Sequence, residues 1–313
     1  MTVRSAPSAG PAPPPPLTLW ERVSFTAVHA AAWALLVSLG LEGLYRFGRL
    51  FGTLEWLINF KRRRRFHRAL ARVLPDPPSP ARRRSITRAY FAQSRCDKLF
   101  YLVFDRLSAE EAASRLRIVG RELLDGALAR GRGAYIAFSH HGAHHVLAML
   151  MSLKGYRTAG VRDRKESGLR RYVQDRFDRR YPDRKRMRVL YADSYPREIY
   201  RCFEQGYLLG SAIDVNRLRS ENQKVEWVEV FGERRPFLIG PIRVALRCGA
   251  PVLQGFILPE GAFRYRLEIV EMLVDPDRVP PGKEEEAARQ AVHRYAAHLE
   301  RYVRETPSLL TRI

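Results

Sequence analysis

The sequence predicts an α/β fold: a central mixed sheet flanked by helices, with an N-terminal membrane-associated helix in front. Three observations lead there. Short apolar runs alternate with amphipathic stretches from residue 116 to the C-terminus, the pattern of strands alternating with helices. Val23 to Leu41 runs nineteen residues with His29 as its one titratable group. The hydrophobic fraction, 46% of 313 residues, is that of an ordinary folded chain able to bury a large core.

Taken in order, residues 1–16 hold six prolines and form a Pro-rich tail with too little apolar surface to fold. Residues 17–60 read as a membrane-associated helical segment. Val23–Leu41 has the minimum length of a bilayer-crossing helix, Leu41–Phe60 turns amphipathic, and Trp33 and Trp56 suit a lipid interface. A buried helical hairpin in a soluble protein is the competing reading. Apolar residues continue past any small-residue cleavage site, which disfavours a signal peptide. Lys61-Arg62-Arg63-Arg64-Arg65 with Arg68 follows, a basic flank that marks the cytoplasmic side and attracts anionic head groups. A nucleic-acid patch is the alternative reading of the same block.

Pro75, Pro77, Pro78 and Pro80 then open an α/β domain over residues 61–313. Helix is expected over 83–104, strand over Leu116–Gly120, helix over Arg121–Arg130, and strand over Ala134–Phe138 after the Gly131-Arg132-Gly133 turn. Helices at 142–154 and 167–180 frame a strand at Thr158–Val161. A strand at Val189–Ala192, a helix at Pro196–Gln205 and an apolar run Tyr207–Ile213 ending at Asp214 come next. A hairpin over Val225–Phe237, a helix over Pro241–Cys248, strands Pro251–Leu258 and Phe263–Val270, and a long helix Glu284–Glu305 complete the chain.

A net charge of +22 implies an anionic partner: a membrane surface, an acidic carrier or acidic substrate, or nucleic acid. Arg162–Arg188 carries twelve Lys/Arg against five Asp/Glu. Cys96, Cys202 and Cys248 are odd in number and far apart, which excludes a disulfide framework and any zinc-ribbon spacing. No nucleophile elbow, phosphate-binding loop or dinucleotide fingerprint is present.

Four of the eight histidines lie in His140-His141-Gly142-Ala143-His144-His145, directly after the strand Ala134–Phe138. On a helix, His140/His144 and His141/His145 would be i,i+4 pairs able to grip a metal ion. Di-iron histidine-box sites, however, need several such boxes, and the remaining histidines are isolated. A histidine between a strand end and a helix N-terminus is instead held neutral and able to accept a proton. Such a base activates an alcohol for attack on a thioester once a carboxylate or carbonyl fixes its tautomer.

Gly133–Gly142 resembles the strand leading into the His-(four residues)-acid motif of the bacterial lipid A late acyltransferases, within the glycerophospholipid and lysophospholipid acyltransferase superfamily. Further blocks carry the same likeness. Gly160-Val161-Arg162 and Leu209–Asn216 come first, followed by Val230–Pro236, then Gly240-Pro241, then Ala245–Val252. The resemblance covers about residues 20–60 and 83–305. It implies a membrane-bound acyltransferase that moves a fatty acyl group from acyl-ACP or acyl-CoA to a hydroxyl of a glycolipid or phospholipid. Catalysis would take place on the cytoplasmic side of the bacterial inner membrane, against an anionic membrane surface, with no cofactor, no metal and no nucleic acid. His140 falls on the catalytic histidine, Gly142 on the motif glycine, and Arg162 on a residue that meets the acceptor's polar head. Asn216, Arg217 and Gly240 are further substrate-binding candidates.

The motif's acid position is occupied by His145, whose neutral imidazole is a weaker orienting group than a carboxylate. Three readings stay open: Asp214 supplies the acid across the cleft, His145 or His141 serves in its place, or the chain binds lipid with catalysis impaired.

Overall fold

The computed structural model describes residues 16–162, 167–184, 187–191, 196–215, 218 and 223–311. Three helices lead: α1 (Leu19–Ile58), α2 (Phe60–Val73) and α3 (Pro80–Val103). The α/β portion follows as α4 (Ala109–Ser114), β1 (Leu116–Val119), α5 (Arg121–Ala129), β2 (Ala134–Phe138), α6 (His144–Leu153), β3 (Thr158–Arg162), α7 (Gly168–Arg180) and β4 (Met187–Tyr191). It continues through α8 (Pro196–Glu204), β5 (Leu208–Ala212), β6 (Val225–Val230), β7 (Glu233–Leu238), α9 (Gly240–Arg247), β8 (Val252–Gly261), β9 (Arg264–Val274) and α10 (Glu284–Glu305).

The expected α/β class holds. Seven strands form one sheet in the order β1-β9-β8-β2-β5-β3-β4, with every neighbouring pair parallel except β8–β9. Strands β6 and β7 form a separate antiparallel hairpin. The period-two alternation of a strand explains the layering. Along β2, Tyr135 and Ala137 join a core with α9 and α10, whereas Ala134 and Ile136 join a second core with α3, α5 and α6. Both faces of the sheet are therefore covered, which is why β2 reads as a continuous apolar run.

Local signals explain the helix ends. Thr18 and Glu21 make a reciprocal capping box at the start of α1. Gly40 breaks α1 at φ +66°, a left-handed geometry that glycine takes at little cost. Leu44, Gly48 and Gly52 of its second half face α3, and a Cβ at Gly52 would stand 2.5 Å from the Ala92 Cα. The basic block expected as a flank is itself helical: α2 turns Phe66, Leu70 and Val73 into the core, pairs Arg62 with Glu55 at 3.0 Å, and leaves Lys61, Arg64, Arg65, Arg68 and Arg72 exposed. Helix α4, unforeseen from the sequence, is capped by Ser108. Strand β8 runs three residues past the expected Leu258, to Gly261, and β9 four past the expected Val270, to Val274, because the two pair from Gly261–Arg264 at the turn to Val252–Val274 at the far end.

Adjacent strands β2 and β5 send their connections to opposite faces. α6 leaves β2 on the face of the second core, and α9 lies on the face of the first, on the way from β5 to β8. Such a switch point opens a crevice at the strand C-termini, where α/β sheets bind ligands.

Candidate active site

The parallel register pairs Phe138 with Ala212, so two residues further on His140 comes level with Asp214. The ladder ends there: Ile213 N–H donates to the Phe138 carbonyl at 3.2 Å. The next donor, the His140 N–H, goes to the Asp214 carboxylate, 2.8 Å from Oδ2 and 3.2 Å from Oδ1. The ring follows the main chain, with its Nδ1 lying 3.1 Å from Asp214 Oδ1 and 3.1 Å from the Asp214 carbonyl. Both partners are acceptors only, so Nδ1 carries the proton and Nε2 keeps its lone pair. The side chains of His140 and Asp214 are 20% and 16% exposed, open enough for a substrate to reach them.

The loop around this pair is closely packed and hydrogen-bonded. Gly142, at φ +81°, lies against β8, and a Cβ there would collide with the Ile257 carbonyl. Its neighbour Ala143 donates to that same carbonyl at 3.0 Å. The motif glycine is thus a close-approach requirement. Tyr295 of α10 donates its hydroxyl to the Phe138 carbonyl at 2.8 Å.

The C-terminal segment ties the loop down from the other side, a contact that sequence reasoning missed. Gly142 N–H donates to the Leu309 carbonyl at 3.0 Å, Leu310 bridges His141, and the Thr311 N–H donates to the His140 carbonyl at 3.2 Å. The Thr306 hydroxyl donates to the Tyr302 carbonyl and so accepts from His141 Nε2–H at 2.8 Å. Pairing over more than 160 residues leaves no local signal in sequence.

The four histidines take separate roles in the structure. His141 is buried, and burial pushes its pKa down to about 3. His145 turns towards α3, meeting Tyr101 edge-on at 5.4 Å and the backbone of Asp97. Desolvation and the nearby Arg170 hold it neutral, at about 4. His144 packs edge-on against His140 at 5.3 Å between ring centres, and burial with its cationic surroundings lowers its pKa well below the ordinary value. Helix α6 starts at His144 and not at the expected residue 142, so His140 and His141 precede it and the i,i+4 pairs that a helix through all four histidines would give are not formed. Among the described residues no group of three His, Cys, Asp or Glu is placed to hold a metal ion.

Of the remaining candidates, Arg162 ends β3 opposite Tyr191, on the sheet edge that carries His140 and Asp214. Its side chain lies outside the described residues, as do Asn216 and Arg217 altogether. Gly240 is the first residue of α9, with Pro241 behind it, as in an ordinary helix start. A recess of about 20 Å³ adjoins Asp214 and His141, walled by Val230, Phe231 and Phe237 of the hairpin and Leu299 of α10.

The family model for bacterial lipid A biosynthesis acyltransferases matches residues 18–308. The chain belongs to that family. No curated protein matches it.

Proposed function

We propose that this family member transfers a fatty acyl group from an acyl thioester, acyl-ACP or acyl-CoA, to a hydroxyl of a glycolipid or phospholipid at the bacterial inner membrane, on its cytoplasmic side. One observation carries the reading: His140 Nδ1 is 3.1 Å from Asp214, which leaves Nε2 free as a base at the sheet's switch point. The acceptor hydroxyl gives its proton to Nε2 as its oxygen attacks the thioester carbonyl. The resulting imidazolium is stabilised by the Asp214 carboxylate, and its proton goes to the departing thiolate. Arg162, Asn216 and Arg217 are the proposed contacts for the acceptor's anionic head, and the chain's excess positive charge draws in the acidic carrier or bilayer. Residues 61–313 form the acyltransferase domain in this reading, and residues 17–60 its membrane attachment.

The test is transfer of a labelled acyl chain by the purified full-length protein to detergent-dispersed lipid acceptors, with both donors. His140→Ala is expected to abolish transfer while melting like wild type. A wild-type protein that transfers from neither donor, yet binds the acceptor lipid, overturns catalysis in favour of lipid binding. Salt-sensitive RNA or DNA binding by a chain that needs no detergent overturns both.

A further inference from the structure

The apolar segment Val23–Leu41 is tied to the domain at its midpoint. His29, 2% exposed, places Nε2 3.2 Å from Asp105 Oδ1. Arg176 of α7 grips the other oxygen of Asp105 at 2.7–2.8 Å. On either side, Phe25 packs on Tyr172 of α7, and the Arg106 guanidinium lies 4.8 Å over the Trp33 ring. If this segment crossed a bilayer, His29 would sit near the midplane and take Asp105, Arg106 and Arg176 with it. Charged groups at that depth are strongly disfavoured, and α7 carries five arginines. A crossing helix is incompatible with this packing.

Past Gly40, the second half of α1 lays Leu44, Gly48 and Gly52 on α3. Both halves thus keep one side on the protein. Their outer side is largely apolar: Val28, Trp33, Val37, Leu54, Leu57 and Ile58 are 43–76% exposed, and the exposed charges of the second half, Glu42, Arg46 and Arg49, include the i,i+4 pair Arg46–Glu42. Helix α2 continues the same run with seven Lys/Arg and no Asp or Glu. Among the described residues, its exposed Arg64, Arg65, Arg68 and Arg72 have no carboxylate partner.

We propose that α1 and α2 form an in-plane docking surface for an anionic bilayer, with the outer side of α1 immersed at the interface and the α2 cations on lipid phosphates. An apolar helix face adjoining a dense cationic face is what such a surface requires. The occupant is a lipid surface and not a second copy of this chain, because a like-charged α2 would repel its counterpart. The inference takes the membrane from the proposed function and adds the mode of attachment, in which the N-terminal tail and the domain share one side.

Two measurements on the full chain test it. Ser8→Cys and Glu122→Cys variants are labelled with a membrane-impermeant maleimide in sealed inverted membrane vesicles and in spheroplasts, against the wild-type thiol background. Labelling of both sites from the same side is expected, and labelling from opposite sides overturns the in-plane arrangement. In flotation with phosphatidylcholine vesicles with and without phosphatidylglycerol, the Arg64→Glu/Arg65→Glu/Arg68→Glu variant is expected to lose on the order of 10²-fold affinity for the anionic vesicles. Equal binding by wild type and variant overturns the role of α2, and a dimer that binds no vesicle overturns the surface entirely. Acyl transfer to detergent-dispersed acceptor reports separately: a chain that docks but transfers nothing fails the proposed function alone.

Discussion

Replacing Asp214 by Asn keeps the shape of the site and changes only its charge and donor pattern, so the consequences follow from the contacts. The wild-type carboxylate accepts from the His140 main chain at 2.8 Å and from ring Nδ1 at 3.1 Å. An asparagine offers one acceptor and one donor for these two positions. With its amino group towards the ring, Nδ1 meets it only by accepting, which gives up the bond to the Asp214 carbonyl, moves the proton to Nε2 and loses the base. With the amino group towards the main chain, two donors face each other, leaving the N–H unsatisfied at a cost of about 1–3 kcal/mol. In either orientation the imidazolium loses a charge-assisted partner, worth about 1.5–3 kcal/mol. A barrier raised by about 3–5 kcal/mol corresponds to a loss on the order of 10²–10⁴ in kcat. The assay is steady-state acyl transfer with kcat and KM separated, alongside a thermal melt, and KM for the thioester is expected to stay near wild type. An Asp214→Asn enzyme within about threefold of wild type, beside an inactive His145→Ala enzyme, would refute the assignment of Asp214 as the orienting group.

Further outcomes follow from the same loop. Gly142→Ala must hold φ +81° and push against the Ile257 carbonyl, so a loss of about 2–4 kcal/mol is expected in urea unfolding. Thr306→Val removes the acceptor of a buried His141 N–H and should cost about 1–3 kcal/mol, with transfer reduced through the displaced loop. Burial depresses the pKa of His141 from 6.5 to about 3, so between those values the unfolded chain binds a proton that the folded chain refuses. Its stabilisation is therefore complete above pH 6.5 and is lost as pH falls, with a slope approaching about 1.4 kcal/mol per pH unit. Urea midpoints across pH 4–7 measure this slope summed with those of the other buried histidines, His144 and His145 among them, and His141→Gln should lower the sum by about 1.4 kcal/mol per pH unit.

What sequence could and could not reveal divides along the range of the interactions. The continuous apolar run of β2 and the apolar stripe of α10 are local signals, and signals of that kind located nearly every element from residue 116 onwards. The order of the strands is set by long-range pairing and had no such signal, and neither did the clasp of Thr306–Thr311 over the histidine loop. The four histidines illustrate the same division. Their chemistry is identical in sequence and their neighbours are not. His140 reaches Asp214, 74 residues on, only because β5 slots in beside β2. His145, five residues from His140, is carried by the first turn of α6 towards Tyr101 and a cationic surrounding. A motif spacing fixes how far apart two side chains lie along the chain, and the turn between them decides whether they meet. Here an adjacent strand supplies the carboxylate that this turn does not present. Restoring an acid at position 145 would place it beside Lys98 and Arg170, so His145→Glu should leave the activity at the level Asp214 already sets.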